Sequence, residues 1–210
     1  MRHKDRATPP GAPPGLAESG GIVVEPHHHG DALRLLTLSW SVPGRGGDLL
    51  DPEEFLTTLG RLCERHPELW DVLLASGRTL SAEPPPREIR AVTGGSPVIF
   101  EVVNGRGHTA RWLLNHGVTE PLTTQIRSEQ ILVRGGDEAA CYDRLSSVLV
   151  AGGGVIHLLG RETRLVLLIC GENNGLNTRG RGNSTLCRPG PGLAEAPGDR
   201  WVALNPAHSP

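Results

Sequence analysis

The chain has 210 residues, 37% hydrophobic but only 3% aromatic, and a formal net charge of -2 at pH 7. That supports one substantial core built mainly from Leu, Val, Ile and Ala, and excludes a whole-surface attraction to nucleic acid, which needs many cationic contacts with phosphate. The 28 glycines and 18 prolines mark a loop-rich globular chain.

Residues 1–31 read as a disordered Pro/Gly/His-rich tail, with too little apolar surface to offset the entropy of ordering. His27, His28 and His29 are consecutive, diverge in direction and bring no second ligand cluster, so no metal site is expected. Residues 32–210 are expected to form a single domain. It opens with a strand over residues 32–40, and a Pro/Gly loop leads to an amphipathic helix. Asp51 caps that helix, Pro52 suits its first turn, and Glu53 and Glu54 suit the positive end of its dipole. Phe55, Leu59 and Leu62 supply its apolar stripe, and Pro67 ends it. A second strand over residues 70–75 ends at Ser76-Gly77-Arg78, and a loop leads into a brief helix within residues 84–91. Residues 98–103 form a third strand, its apolar run broken by Glu101.

From Gly107 to Arg134 the pattern is ambiguous, with residues 110–114 readable as a strand or a helical turn. Residues 137–150 predict a helix with Ala140, Leu145, Val148 and Leu149 inward, ended by Gly152-Gly153-Gly154. A hairpin follows: residues 155–159, a turn through Gly160-Arg161-Glu162, and a strand ending at Cys170. Residues 175–200, rich in Gly, Pro and Arg, read as a long irregular loop, either a lid or a surface excursion. Residues 201–204 form a last strand running into Asn205-Pro206. The alternation of strands and helices predicts an α/β layered sheet rather than a barrel or bundle.

Lys4 is the only lysine, so the chain has no GxxxxGK phosphate loop and no lysine in the folded part for Schiff-base chemistry. Cys63, Cys141, Cys170 and Cys187 are dispersed without a CxxC pair, as expected of reduced thiols rather than zinc ligands. The N-terminus lacks the apolar stretch of a secretory signal and no run is long enough to span a bilayer, so a cytoplasmic setting is expected.

The most informative segment is Leu165-Val166-Leu167-Leu168-Ile169-Cys170-Gly171-Glu172-Asn173-Asn174. An apolar run of this kind fits a strand buried on both faces, which delivers Cys170 to the strand end where open α/β sheets place their chemistry. Gly171 allows close backbone approach, and Glu172, Asn173 and Asn174 bring an acid and two amides beside the sulfur. Read alone, Cys170 is equally a small buried hydrophobe.

That segment, with the opening strand, the helix from Pro52, the strand before Ser76, the hairpin into Cys170 and Val202-Ala203-Leu204-Asn205-Pro206, resembles the carbon-nitrogen hydrolase (nitrilase) superfamily. The resemblance covers residues 32–210 and implies an α-β-β-α sandwich, here incomplete at the C-terminus. It also implies a Cys nucleophile, a Glu general base and a Lys that stabilises the tetrahedral intermediate, acting on small amides or nitriles through a thioester. Cys170 matches the nucleophile. Where the base belongs, the chain reads Ser76-Gly77-Arg78, and where the lysine belongs it offers Arg127, Glu129 and Arg134. Arginine supplies charge but cannot shuttle a proton. Glu101, Glu172 and His208 are therefore the candidate proton carriers, with His157 a further rival, and Asn173 or backbone N–H groups are the candidate oxyanion donors. No cofactor or metal is expected. The expected partners are the substrate and a second copy or other chain covering an exposed sheet edge. The alternative is a catalytically inactive nitrilase-like binding module, and a nucleic-acid contact through residues 179–188 ranks last for want of interleaved aromatics.

Overall fold

The computed structural model describes residues 21–27, 32–38, 49–66, 70–75, 80–103, 109–126, 152–160, 163–169 and 200–206. They form two sheets and two helices. Strands β1 (Ile22–Val24), β7 (Val155–Leu158), β8 (Thr163–Leu167) and β9 (Arg200–Leu204) make a four-stranded sheet in the order β1-β7-β8-β9. Strands β2 (Leu35–Leu38), β3 (Val72–Ala75), β4 (Val98–Val103), β5 (Thr109–Asn115) and β6 (Thr119–Ile126) make a five-stranded sheet in chain order. Within it β2, β3 and β4 run parallel, while β5 and β6 are added antiparallel.

Helix α1 (Pro52–Arg65) begins as its sequence predicts, with the Asp51 side chain accepting the Glu53 N–H at 2.8 Å. It ends one turn after Leu62, whose carbonyl accepts the His66 N–H at 2.9 Å; Pro67 lies outside the described residues. Helix α2 (Pro86–Thr93) starts behind a proline and stops at Gly94, which takes the left-handed conformation at φ 63°. Phe55 and Leu59 of α1 and Ile89 of α2 pack with Leu73, Val98, Phe100 and Leu113, so both helices cover one face of the five-stranded sheet. On the opposite face Val72, Leu74, Ile99, Trp112 and Leu114 share a second buried cluster with Ile156, Leu158, Leu165, Leu167 and Leu204. The two sheets are thus face to face, giving helix, sheet and sheet in succession. Strands β3 and β4, covered on both sides, are buried along their whole lengths, which is why they read as continuous apolar runs.

Several expectations change. Residues 21–27 are not tail: β1 pairs in parallel with β7, and Val24, only 2% exposed, belongs to the core between the sheets. The ambiguous segment is a hairpin, β5 and β6, closed by a turn in which Asn115 donates to Thr119 Oγ1 at 3.0 Å and accepts from the Gly117 N–H at 3.4 Å. Strand β2 is shorter than expected, and α2 runs past residue 91 to Thr93. The helix expected over residues 137–150 and the loop over 175–199 lie outside the described residues. Among the described residues no helix is long and apolar enough to cross a membrane.

Candidate active site

Strand β8 ends at Leu167, short of the expected end at Cys170, but the chain stays buried for two residues beyond it. Leu165, Val166, Leu167, Leu168 and Ile169 are all at most 2% exposed, and the chain passes from Ile169 directly into Cys170. Strand β9 fixes this end. Leu167 pairs with Leu204, the Leu168 N–H donates to the Leu204 carbonyl at 2.9 Å, and the Asn205 side chain donates from Nδ2 to the Leu168 carbonyl at 2.6 Å. Both backbone polar groups of Leu168 are therefore satisfied just where the ladder ends.

The two sheets are oriented so that this end has company. A cleft of about 600 Å³ joins the carboxyl ends of β1 and β7, at Val24 and Leu159, to the amino end of β4 at Pro97 and the β5–β6 turn at His116. Because β8 runs antiparallel to β7 and β9 parallel to β8, the carboxyl ends of β8 and β9 point away from that cleft. The carboxyl ends of β2, β3 and β4 point the same way. Chemistry in open α/β sheets gathers at carboxyl strand ends, and here those of β2, β3, β4, β6, β8 and β9 lie at one end of the molecule while those of β1, β5 and β7 lie at the other.

Of the candidate proton carriers, Glu101 and His157 lie among the described residues. Glu101 is 0% exposed. Ile99 belongs to the cluster between the sheets while Val98, Phe100 and Val102 belong to the helix-side cluster, so strand alternation turns Glu101 toward the other sheet. Its cross-strand partner Trp112 lies in the same layer, where the buried indole Nε1 has no hydrogen-bond partner among the described residues. Leu74 is in register with Ile99 and β3 ends at Ala75, so Glu101 stands just past the end of β3. Glu101 is thus a buried carboxyl group inside the sandwich, within the strand where the sequence put it.

His157 falls elsewhere. It is 2% exposed, but it alternates with Ile156 and Leu158 of the inter-sheet cluster, so it lies on the outer face of the four-stranded sheet with that sheet between it and Glu101. A Cβ added to Gly21 would stand 2.8 Å from His157 Nε2, and Gly21 has φ 131°, so glycine is required where the chain crosses the imidazole. Cys63, on α1, is held above the usual thiol range by burial, with a backbone hydrogen bond pulling the other way, which leaves it a poor nucleophile near neutrality.

Cys170, Glu172, Asn173, His208, Arg78, Arg127, Glu129 and Arg134 lie outside the described residues, so Glu101 and the Leu168–Asn205 contact carry the visible part of the site. The opposite cleft presents Glu25, His27 and His116, the last with Nε2 3.5 Å from Glu120 Oε2, yet no group of three metal-ligating side chains occurs among the described residues. Asn205 was missed as a site residue from the sequence; the signal was its place before a proline at a strand end. The chain matches no protein-family model, no curated protein and no solved structure.

Proposed function

We propose that this chain is a divergent thiol amidohydrolase with a nitrilase-like α-β-β-α sandwich and Cys170 as the nucleophile. The observation that carries the reading is the buried Glu101, turned into the layer between the sheets, on a strand whose carboxyl end points the same way as that of β8. A carboxyl group in that layer has the chemistry to accept and return a proton. In this scheme the Cys170 thiolate adds to the carbonyl carbon of a small amide, and the carbon–nitrogen bond breaks as the amine departs with a proton from Glu101. Water, deprotonated by the same carboxylate, then cleaves the thioester to release the acid and regenerate the thiol. A nitrile substrate would enter through a thioimidate and need one further water. Glu172 and His208 are alternative proton carriers, and no cofactor is needed. The outer strands of the two sheets offer a place for a second copy, and a reducing cytoplasmic setting suits four thiols.

The second reading, an inactive nitrilase-like binding module, is favoured by a specific departure: Ser76-Gly77-Arg78 stands where the base belongs, and Lys4 is the only lysine. One experiment separates the two. Incubation with a panel of small amides and nitriles, followed by rapid acid quench and peptide mass analysis, should reveal an acyl adduct on Cys170, lost in Cys170→Ala. Absence of any adduct, with the biological effect intact in Cys170→Ala, favours the module.

A further inference from the structure

We infer that Asn205 is a positioning residue for Cys170, supplying through its side chain the one ladder hydrogen bond that Pro206 makes impossible. The register requires such a bond. Leu167 pairs with Leu204 in parallel, and the Leu168 N–H donates to the Leu204 carbonyl. The next rung of a parallel ladder runs from the backbone N–H of residue 206 to the Leu168 carbonyl. Residue 206 is proline and has no N–H, yet Leu168 is fully buried, where a carbonyl without a donor is expensive. The Asn205 amide fills the vacancy from one residue earlier, with Nδ2 at 2.6 Å. Asparagine is well suited to this: its short side chain folds back beside its own backbone and carries donor hydrogens that aspartate lacks.

Proline thus ends the ladder and asparagine closes it, so the strand stops at a defined residue. The consequence for function lies two residues on. With Leu168 anchored through both backbone groups and Ile169 buried in the core between the sheets, the backbone entering Cys170 has a fixed point of departure, the pre-organisation a nucleophile needs. The role rests on the amidohydrolase reading in taking Cys170 as the reactive group; the clamp itself rests on register and distance.

The test uses the full chain with Asn205→Ala, Asn205→Asp and Asn205→Ala combined with Pro206→Ala, the last restoring a backbone N–H at position 206. Two readouts are taken: the carbonyl carbon-13 chemical shift of Leu168, which reports the hydrogen bond its oxygen accepts, and the iodoacetamide labelling rate of Cys170 across pH with Cys63 as internal control. Both single variants should move the Leu168 carbonyl shift upfield and lower Cys170 labelling at neutral pH by about five- to tenfold, as expected for one lost hydrogen bond, while Cys63 stays within about twofold. Adding Pro206→Ala should bring both readouts back toward wild type, a rescue that general destabilisation does not produce. Unchanged Cys170 labelling in folded single variants overturns the positioning role, and so does a loss that Pro206→Ala fails to restore. If wild-type Cys170 labels no faster than Cys63, the amidohydrolase reading fails instead, and the Leu168 carbonyl shift still decides whether the clamp exists.

Discussion

Replacing Glu101 separates what the fold asks of that position from what catalysis asks. The side chain is fully buried between two sheets, level with Trp112 and two residues along from Ile99. Glu101→Ala leaves a void in a layer enclosed on both sides by strands, where little relaxation is open to it, and should cost about 2–4 kcal/mol. For a domain of this size each kcal/mol shifts the melting temperature by about 2–4 °C, so a fall on the order of 10 °C is expected. Glu101→Gln preserves volume and hydrogen-bonding reach and should stay within about 1 kcal/mol of wild type. If the carboxyl group is the proton carrier, however, the glutamine variant should lose about 10²–10⁴-fold in amide hydrolysis, the usual contribution of a general acid or base. Thermal unfolding by circular dichroism and acyl-adduct formation on Cys170 read the two effects independently. An alanine variant that melts with wild type would refute the burial argument, and a glutamine variant with full activity would refute the catalytic one.

Other outcomes follow from the same geometry. Asp51→Ala removes the cap on α1 and should cost about 1 kcal/mol in chemical denaturation, with Asp51→Asn recovering most of it; no loss would show that the 2.8 Å contact to Glu53 contributes nothing. Gly21→Ala forces a methyl against His157 at a positive φ and should destabilise by about 1–3 kcal/mol, whereas Gly60→Ala, where an added Cβ meets nothing within 4 Å, should be neutral or stabilising by up to about 1 kcal/mol. Equal effects at the two glycines would show that residues 21–24 do not dock as a strand. Burial raises the Cys63 thiol, so its contribution to stability is fully present below the unfolded-state value and is lost as pH rises through the higher folded-state value. Cys63→Ala should therefore flatten the alkaline limb of the stability profile, and an unchanged limb would contradict the sign.

What could be read from the sequence tracks how far each element is governed by local chemistry. Helix α1 was legible because Asp51, Pro52 and the Phe55-Leu59 stripe all state the same answer within one turn of each other. Strands β3 and β4 were legible as apolar runs because they are buried on both faces, and β8 because its last three residues are. The β5–β6 hairpin was not, since a register shift between Trp112 and Leu113 breaks the alternation and Pro121 sits within β6, an outer strand that tolerates a missing N–H. Strand β1 was hidden because Ile22, Val23 and Val24 are few and their pairing partner β7 lies more than 130 residues away; only tertiary contact makes them a strand. At the site, Glu101 could be picked out by polarity, but its orientation depends on which face of β4 meets the second sheet. The role of Asn205 emerges only from the parallel register of β8 with β9.

The most direct test of the account is the pH dependence of thiol alkylation, followed residue by residue with substoichiometric iodoacetamide and peptide mass analysis. Cys170 should label first, with its rate already near its plateau around neutral pH, while Cys63 reacts slowly there and continues to rise into the alkaline range. Labelling of Cys170 that is no faster than that of Cys63, or that follows the same alkaline profile, would contradict a nucleophilic thiol at the end of β8.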